Sequence, residues 1–236
     1  MEGQQDTTHP ISLYWTIASQ PSRSVKALLL AGAVPHNSVS IDLIKQEHKG
    51  EAYLQVNPRG LLPAIKDGDF ILSESNAILK YLANTNESIP AHYWPKNDQQ
   101  RAITDQFLEY YQNHFRPSLI TPLRMKMMKT LAKVEYEAAA YEAALAQLWK
   151  EVDTLEVYLG QHEGAFVVND QPTIADLQLF FEFQNLIYVG LDKSWETEKY
   201  PQVTAWYNKV IALPEVKGIH DQWIQLVAGF IKMLNA

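Results

Sequence analysis

The spacing of apolar residues changes once along the chain, and this change constrains the possible folds more than any other feature of the sequence. Up to about residue 86, short segments with the alternation typical of strands are interspersed with helical segments. After a stretch with two prolines at residues 87–97, interpreted as a linker, the apolar patterns are helical only. This order predicts an α/β domain over residues 1–86, with residues 1–10 as a disordered tip, and an all-α domain over residues 98–236.

The first domain contains seven predicted elements in the order β-α-β-α-β-β-α. The apolar segment "ISLYW" predicts a strand, and a helix is expected from Pro21, since proline at the first helical position loses no hydrogen bond. Residues 37–44 alternate as a half-buried strand does. Asp67 and Gly68 stand between two apolar runs and predict a hairpin. This order matches a thioredoxin-like domain, which would carry Pro63 at the start of a strand.

The second domain shows helical spacing throughout. A first helix is expected to start near Asp98 and to break or kink at Pro117. A later helix carries an apolar stripe with alternating spacings of four and three residues and ends at Gly160. In "PTIADL", Thr173 and Asp176 have the spacing of a capping box, a folding signal that contributes about 1 kcal/mol.

The composition excludes several kinds of chemistry. The 236 residues include no cysteine, which excludes disulfides, a protein thiol nucleophile and Cys-x-x-Cys redox chemistry. The net charge of −7 argues against nonspecific binding to nucleic acid or to an anionic membrane. No apolar run approaches the ~20 residues of a membrane span, and no signal peptide is expected. The absence of cysteine fits a cytoplasmic protein. The seven histidines are scattered, so we expect no metal site.

Three motifs together resemble the glutathione S-transferases, and the theta class most closely. They are "SQPSR" at residues 19–23, "NPRGLLPAIKDGD" at residues 57–69 and "SESNAILKYL" at residues 73–82. The resemblance covers nearly the whole chain, by motif in the first domain and by helix layout in the second. It implies an enzyme of thioredoxin-like plus all-helical fold that uses glutathione as co-substrate, needs no other cofactor, and forms a homodimer.

By this resemblance, the substrate supplies the thiol that the chain lacks. A free thiol has a pKa of about 8.5, so only a few per cent is thiolate at neutral pH. Ser19, which precedes the Pro21 helix, is expected to donate its hydroxyl to the thiolate at the helix N-terminus. Three alternatives stay open: Ser19 as a mere helix cap, Tyr14 as the donor, and Ser22 as the donor despite its expected solvent-facing position. Arg23 is interpreted either as an ion-paired brace of this loop or as a surface residue.

The resemblance also assigns residues to glutathione binding: Gln20, His48, Lys49, Leu62, Pro63, Glu74, Ser75 and Asp105. The backbone of Leu62 would meet the cysteinyl part of the tripeptide, as one strand meets another. Glu74 would bind the γ-glutamyl ammonium, and Ser75 the γ-glutamyl carboxylate at a helix N-terminus. Asp105 would reach the same amine across a dimer interface.

The glycyl carboxylate of glutathione is expected to meet a cation near the second helix. His48 is the first candidate by resemblance and Lys49 the second. The sequence departs from the theta pattern at Leu61, where a lysine is usual, and Arg59 is expected to compensate.

The electrophile pocket is expected to be apolar and to lie largely in the helical domain. Several residues of the helical domain are candidates to line or cover this pocket: Phe115, Met125, Met127, Met128, Trp223, Phe230 and Lys232. Ordinary core packing is the alternative interpretation of the apolar ones. At the level of function, we expect conjugation to small electrophiles, with organic hydroperoxides as another substrate class. The alternative is a noncatalytic binding or assembly module of the same fold.

Overall fold

The computed structural model describes residues 10–161 and 165–234 and divides the chain into two compact units. The first unit extends to Ala91 and the second begins at His92. The predicted tip at residues 1–10 lies, but for its last residue, outside the described ranges. Within those ranges, no helix is both long enough and apolar enough to cross a membrane.

A four-stranded sheet forms the centre of the first unit. Its strands are Ile11–Trp15 (β1), His36–Ser40 (β2), Ala64–Asp67 (β3) and Phe70–Ser73 (β4). Their spatial order is β2-β1-β3-β4; β1 pairs with β2 in parallel, and the other two pairs are antiparallel. A parallel pair needs a crossover, which the first helix supplies, whereas β3 and β4 are joined by the predicted tight turn at Gly68. The thioredoxin-like order of elements is confirmed.

The α-helices in the described part of the first unit are Gln20–Ala31 (α1), the short Glu51–Leu54 (α2) and Ser75–Thr85 (α3). The predicted apolar face of α1 is fully buried at Val25, Leu28 and Leu29. Helix α1 also packs against α3. Burial of each such side chain contributes about 1.5–3 kcal/mol, which holds α1 and its N-terminus in place.

The predicted strand at residues 37–44 is shorter than its alternation suggests. β2 ends at Ser40, and Leu43 is 38% exposed instead of facing the core. The side chain of Asp42 accepts hydrogen bonds from the N–H groups of Ile44 and Lys45, at 2.8 and 3.1 Å. This Asx-type turn offers the backbone an alternative to the ladder and ends the strand.

The second unit is helical in the part that the structure describes, as predicted. Its α-helices are Asp98–Tyr110 (α4), Arg116–Ala132 (α5), Ala138–Gly160 (α6), Ile174–Phe183 (α7), Pro201–Ile211 (α8) and Pro214–Leu234 (α9). The predicted break at Pro117 is replaced by one π-helical segment, Tyr111–Phe115, that joins α4 to α5. Pro117 then lies in the first turn of α5, directly after the π-helical segment.

A capping box and an ion pair, both with buried polar side chains, stabilise α7 in the second unit. The capping box of Thr173 and Asp176 is confirmed at the start of α7. Farther along the same helix, the carboxylate of Glu182 is fully buried and forms an ion pair with Arg116. A buried charge is tolerated only when it is paired, so this ion pair ties α7 to the start of α5.

Candidate active site

Ser19 occupies the turn between β1 and α1 and is partly exposed. Its backbone is extended, with φ −90° and ψ 121°, and its Oγ accepts a hydrogen bond from the N–H of Ser22 at 3.4 Å. A serine oxygen has two lone pairs and one hydrogen. The cap uses a lone pair and leaves the hydroxyl hydrogen available to an anion. Capping and donation to a ligand are therefore compatible roles for the same side chain.

The last two residues of this motif are buried, contrary to the solvent-facing interpretation of Ser22. Ser22 and Arg23 are both 0% exposed. Arg23 braces the loop through the backbone, because its Nη1 donates to the carbonyl of Ile17 at 2.9 Å. This contact fixes the chain two residues before Ser19. Tyr14, the other alternative donor, packs against Tyr53 with ring centroids 6.0 Å apart.

The loop before β3 presents the backbone of Leu62. The Leu62–Pro63 peptide bond is cis, and β3 begins only at Ala64, so the peptide groups of Leu62 lie outside the sheet pairing. The preceding carbonyl, that of Leu61, accepts hydrogen bonds from Tyr53 Oη at 2.6 Å and Asn57 Nδ2 at 2.8 Å. Tyr53 and Asn57 are positioning residues that the sequence motifs do not predict, although "NP" already marks a turn.

Glu74 and Ser75 lie at the start of α3. Glu74 is the N-cap residue and has φ 68° and ψ 110°, a conformation that non-glycine residues seldom adopt. Such strain concentrates at functional sites. The side chain of Glu74 makes no capping hydrogen bond and is exposed, and Ser75 is the first residue of the helix. The helix start thus presents a carboxylate beside N–H groups that favour an anion.

The guanidinium of Arg59 forms an ion pair with Glu74, with Nη1 and Oε1 3.2 Å apart. Both side chains are mostly exposed, at 69% and 60%. Arg59 is expected from the sequence to compensate at the glycyl carboxylate, whereas its guanidinium lies at Glu74, the residue expected to bind the opposite end of the tripeptide. The site therefore offers a cation and an anion side by side, complementary to the zwitterionic end of an amino acid.

His48 and Lys49 belong to a short 3-10 turn, Glu47–Lys49, beside the loop at Gly60. Lys49 Nζ donates to the carbonyl of Gly60 at 3.2 Å. Gly60 has φ +59°, and a Cβ there would lie 2.6 Å from the carbonyl oxygen of His48, so the close approach requires glycine. The Nδ1 atom of His48 is buried without a hydrogen-bond partner among the described residues.

The remaining predicted residues are placed as follows. Gln20 is the first residue of α1, and Asp105 lies in α4 of the second unit, partly exposed. Phe115 is fully buried and stacks on Phe183, so it is a core residue and not an exposed pocket wall. Trp223 is buried too, and its Nε1 donates to Tyr188 Oη at 3.2 Å. Within the described ranges, no cluster of three metal-ligating side chains occurs.

Both halves of the chain match family models. The model described as "Glutathione S-transferase, N-terminal domain" matches residues 10–84. The model described as "Glutathione S-transferase, C-terminal domain" matches residues 102–214. The two models follow each other in the order that the change of apolar spacing predicts.

Similar proteins extend the match over most of the chain. Human glutathione S-transferase theta-2 is 32% identical over 209 residues, which cover 86% of this chain and 81% of that protein. Rat glutathione S-transferase theta-1 is also 32% identical, with 86% and 82% covered. The structure of human glutathione transferase theta-2 in complex with glutathione and an unknown ligand superimposes with a TM-score of 0.85 at 28% identity, covering 95% of this chain and 90% of that one. Motifs, fold and relatives agree that the chain belongs to the glutathione S-transferase family.

Proposed function

We propose that this glutathione transferase activates the thiol of bound glutathione as a thiolate, with Ser19 as the hydrogen-bond donor. The observation that carries the proposal is the geometry of Ser19: its oxygen caps α1 through a lone pair, and its hydroxyl hydrogen remains available. Ser19 also stands at the N-terminus of a 12-residue helix, where a negative charge is favoured. Gln20 follows at the first position of the same helix.

The hydrogen bond from Ser19 and the N-terminus of α1 can together supply the free energy that is needed to stabilise the thiolate. Lowering the pKa of a thiol by about two units requires about 2.7 kcal/mol of preferential stabilisation of the thiolate. A hydrogen bond to a charged group contributes about 1.5–3 kcal/mol. The helix N-terminus adds about 0.3–2 kcal/mol. Together they produce a mostly ionised thiol at neutral pH without any cysteine or metal of the protein.

The other assigned residues hold the tripeptide so that its sulfur meets Ser19. The peptide groups of Leu62, next to Pro63, pair with the cysteinyl backbone, while the start of α3 takes the γ-glutamyl end through Glu74 and the N–H groups near Ser75. His48 and Lys49 take the glycyl carboxylate. Asp105 contributes only in a homodimer, from the partner subunit.

The thiolate then attacks the electrophilic carbon of a small apolar substrate, forming a carbon–sulfur bond and expelling the leaving group. A structure of a human theta-class enzyme that this chain resembles, with a TM-score of 0.83 at 28% identity over 96% of this chain and 91% of that chain, contains the glutathione conjugate of 1-menaphthyl sulfate. Organic hydroperoxides are a second substrate class for the same thiolate. We assign this chemistry to detoxification in the cytoplasm.

The direct test is an ultraviolet titration of the thiolate of glutathione bound to the wild-type protein. The proposal expects half-ionisation well below the value of about 8.5 for a free thiol. Binding of glutathione with no change in its ionisation, together with no turnover of halogenated or epoxide electrophiles, would identify the chain as the noncatalytic module instead. Turnover of cumene hydroperoxide in the same assay measures the peroxidase activity.

Replacing Arg59 with alanine is expected to raise the KM for glutathione about two- to fivefold and to leave kcat unchanged. The reason is that an exposed ion pair contributes only modestly, and Arg59 meets a ligand carboxylate that does not take part in the reaction. The measurement is steady-state kinetics with glutathione varied at saturating electrophile. Lys66→Ala, which removes an exposed charge from β3, is the matched control. An unchanged KM in the Arg59 variant would remove this residue from the binding site.

A homodimer is expected in solution, with a sedimentation mass of twice the 26.9 kDa of the chain. Support comes from strand β4 at the sheet edge, where Phe70 and Ile71 are 48% and 41% exposed. Large apolar side chains on an edge strand are usually covered by a partner. Analytical ultracentrifugation at assay concentration checks this, and a single monomeric species would contradict both the dimer and the role of Asp105.

A further inference from the structure

Three side chains surround the ammonium group of Lys26 at the surface of the first unit. The Nζ atom of Lys26 lies 2.6 Å from His36 Nε2 and 2.8 Å from Ser38 Oγ. It also lies 5.5 Å from the ring centroid of Trp15. Lys26, His36 and Trp15 are partly buried and Ser38 is exposed, so the group is sheltered but reachable from solvent.

This cluster is separate from the candidate glutathione site. His36 and Ser38 belong to β2, one edge of the sheet, whereas Leu62 and Glu74 adjoin β3 and β4 on its other side. Lys26 follows Ser19 by seven residues along α1, a displacement of about 10 Å along the helix. No step of glutathione binding or activation uses these side chains.

The hydrogen bonds define the tautomer of His36. Its Nδ1 lies 2.7 Å from the carbonyl oxygen of Val34, which only accepts, so Nδ1 carries the hydrogen. A neutral ring then presents the lone pair of Nε2 to Lys26. This is the arrangement of a nucleophile, a base within hydrogen-bond reach and a third group that orients the base.

We propose that Lys26 is a selectively reactive amine that is N-acylated by acyl thioesters, with His36 as its base. The neutral Nζ attacks the carbonyl carbon of the thioester, a C–N bond forms, and the C–S bond breaks with release of the thiolate. The surplus proton of the amine passes to His36 Nε2, and solvent or the leaving thiolate then takes it from the ring. Ser38 and the face of Trp15 hold Nζ in place. The product is an amide, which removes the positive charge of Lys26.

The electrostatic setting supports this assignment. Burial lowers the pKa of the Lys26 amine, and no described carboxylate forms an ion pair with it. The pKa of His36 is lowered by burial and also by the charge of Lys26, against the opposing hydrogen bond to Val34, so the ring is neutral at physiological pH. A lysine of lowered pKa is neutral more often than an ordinary surface lysine, which is the usual way in which proteins make a lysine nucleophilic.

The test is competitive acetylation of the intact protein with S-acetyl-N-acetylcysteamine at pH 7.5, followed by mass spectrometry of peptides. Lys66, an exposed lysine of β3 in the same unit, is the internal reference. We expect Lys26 to react about threefold faster than Lys66 or more, because the gain in neutral amine outweighs the loss of intrinsic nucleophilicity. An equal or slower rate at Lys26 overturns the proposal.

Two further experiments test whether the reactivity of Lys26 depends on His36, and whether it is independent of the glutathione site. His36→Gln keeps an acceptor near Lys26 but removes the base, and the ratio of Lys26 to Lys66 labelling is expected to fall about tenfold. An unchanged ratio in this variant contradicts the role of His36. Saturating S-methylglutathione, which has no free thiol, is expected to leave Lys26 labelling unchanged in the wild type. If the variant does not fold, the wild-type ratio at pH 7.5 and its decline at alkaline pH, where both amines are neutral, still decide the proposal.

Discussion

Replacing Ser19 with alanine is expected to reduce kcat/KM for glutathione conjugation about 10- to 150-fold while the fold is retained. The variant loses the one donor assigned to the thiolate, and a hydrogen bond to a charged group contributes about 1.5–3 kcal/mol, or roughly tenfold for each 1.36 kcal/mol. The helix N-terminus remains, so activity falls without vanishing. The thiolate of bound glutathione is expected to titrate at higher pH in the variant than in the wild type.

The control for this experiment is Ser22→Ala. Ser22 Oγ is buried without a hydrogen-bond partner among the described residues, so its removal leaves no partner unsatisfied and is expected to preserve both activity and stability. Glutathione binding is measured separately for both variants, since a loss of affinity alone would also lower kcat/KM. Full activity in the Ser19 variant, with an unchanged thiolate titration, would shift the assignment to Tyr14, tested next as Tyr14→Phe.

The burial of Ser22 was readable from the sequence, but residue type obscured it. Ser22 precedes Val25 by three residues and Leu29 by seven, which places it on the buried stripe of α1. Helical periodicity was therefore a better guide than the polar character of serine. The burial of Arg23 is different in kind, because it depends on a carbonyl presented by the loop at Ile17, which no spacing rule reveals.

The candidate site shows the same division between local and nonlocal information. The hairpin at Gly68 and the capping box at Asp176 follow from local patterns, and both were predicted. The two hydrogen bonds that hold the carbonyl of Leu61 come from Tyr53 in α2, eight residues away, and from Asn57 in the loop after it, four residues away. Likewise, Asp176 accepts from Trp206 Nε1 at 2.9 Å, thirty residues along the chain. Local rules find the elements, whereas contacts of this kind need the folded chain.

Replacing Arg116 with methionine is expected to lower the free energy of unfolding of the second unit by about 3–5 kcal/mol at neutral pH. Glu182 is fully buried and pairs with the guanidinium of Arg116, which also donates to Tyr111 Oη at 3.3 Å. The variant leaves the carboxylate in an apolar interior without its cation. Urea unfolding is followed by fluorescence, because five of the six tryptophans lie in the second unit.

The pH dependence distinguishes loss of the charge pair from loss of packing. Without its cation, Glu182 is expected to have a folded-state pKa above the unfolded value of about 4.3. The penalty is then fully present above the folded-state pKa and declines as pH falls through it, so the variant and the wild type should converge in mildly acidic buffer.

The double variant Arg116→Met/Glu182→Leu should recover most of the loss, since an apolar pair of similar volume replaces a buried ion pair at little cost. Lys129→Met, which breaks an exposed pair with Glu135, is the matched control and should change little. An Arg116 penalty that is independent of pH and persists in the double variant would mean that Arg116 contributes through packing and not through its charge.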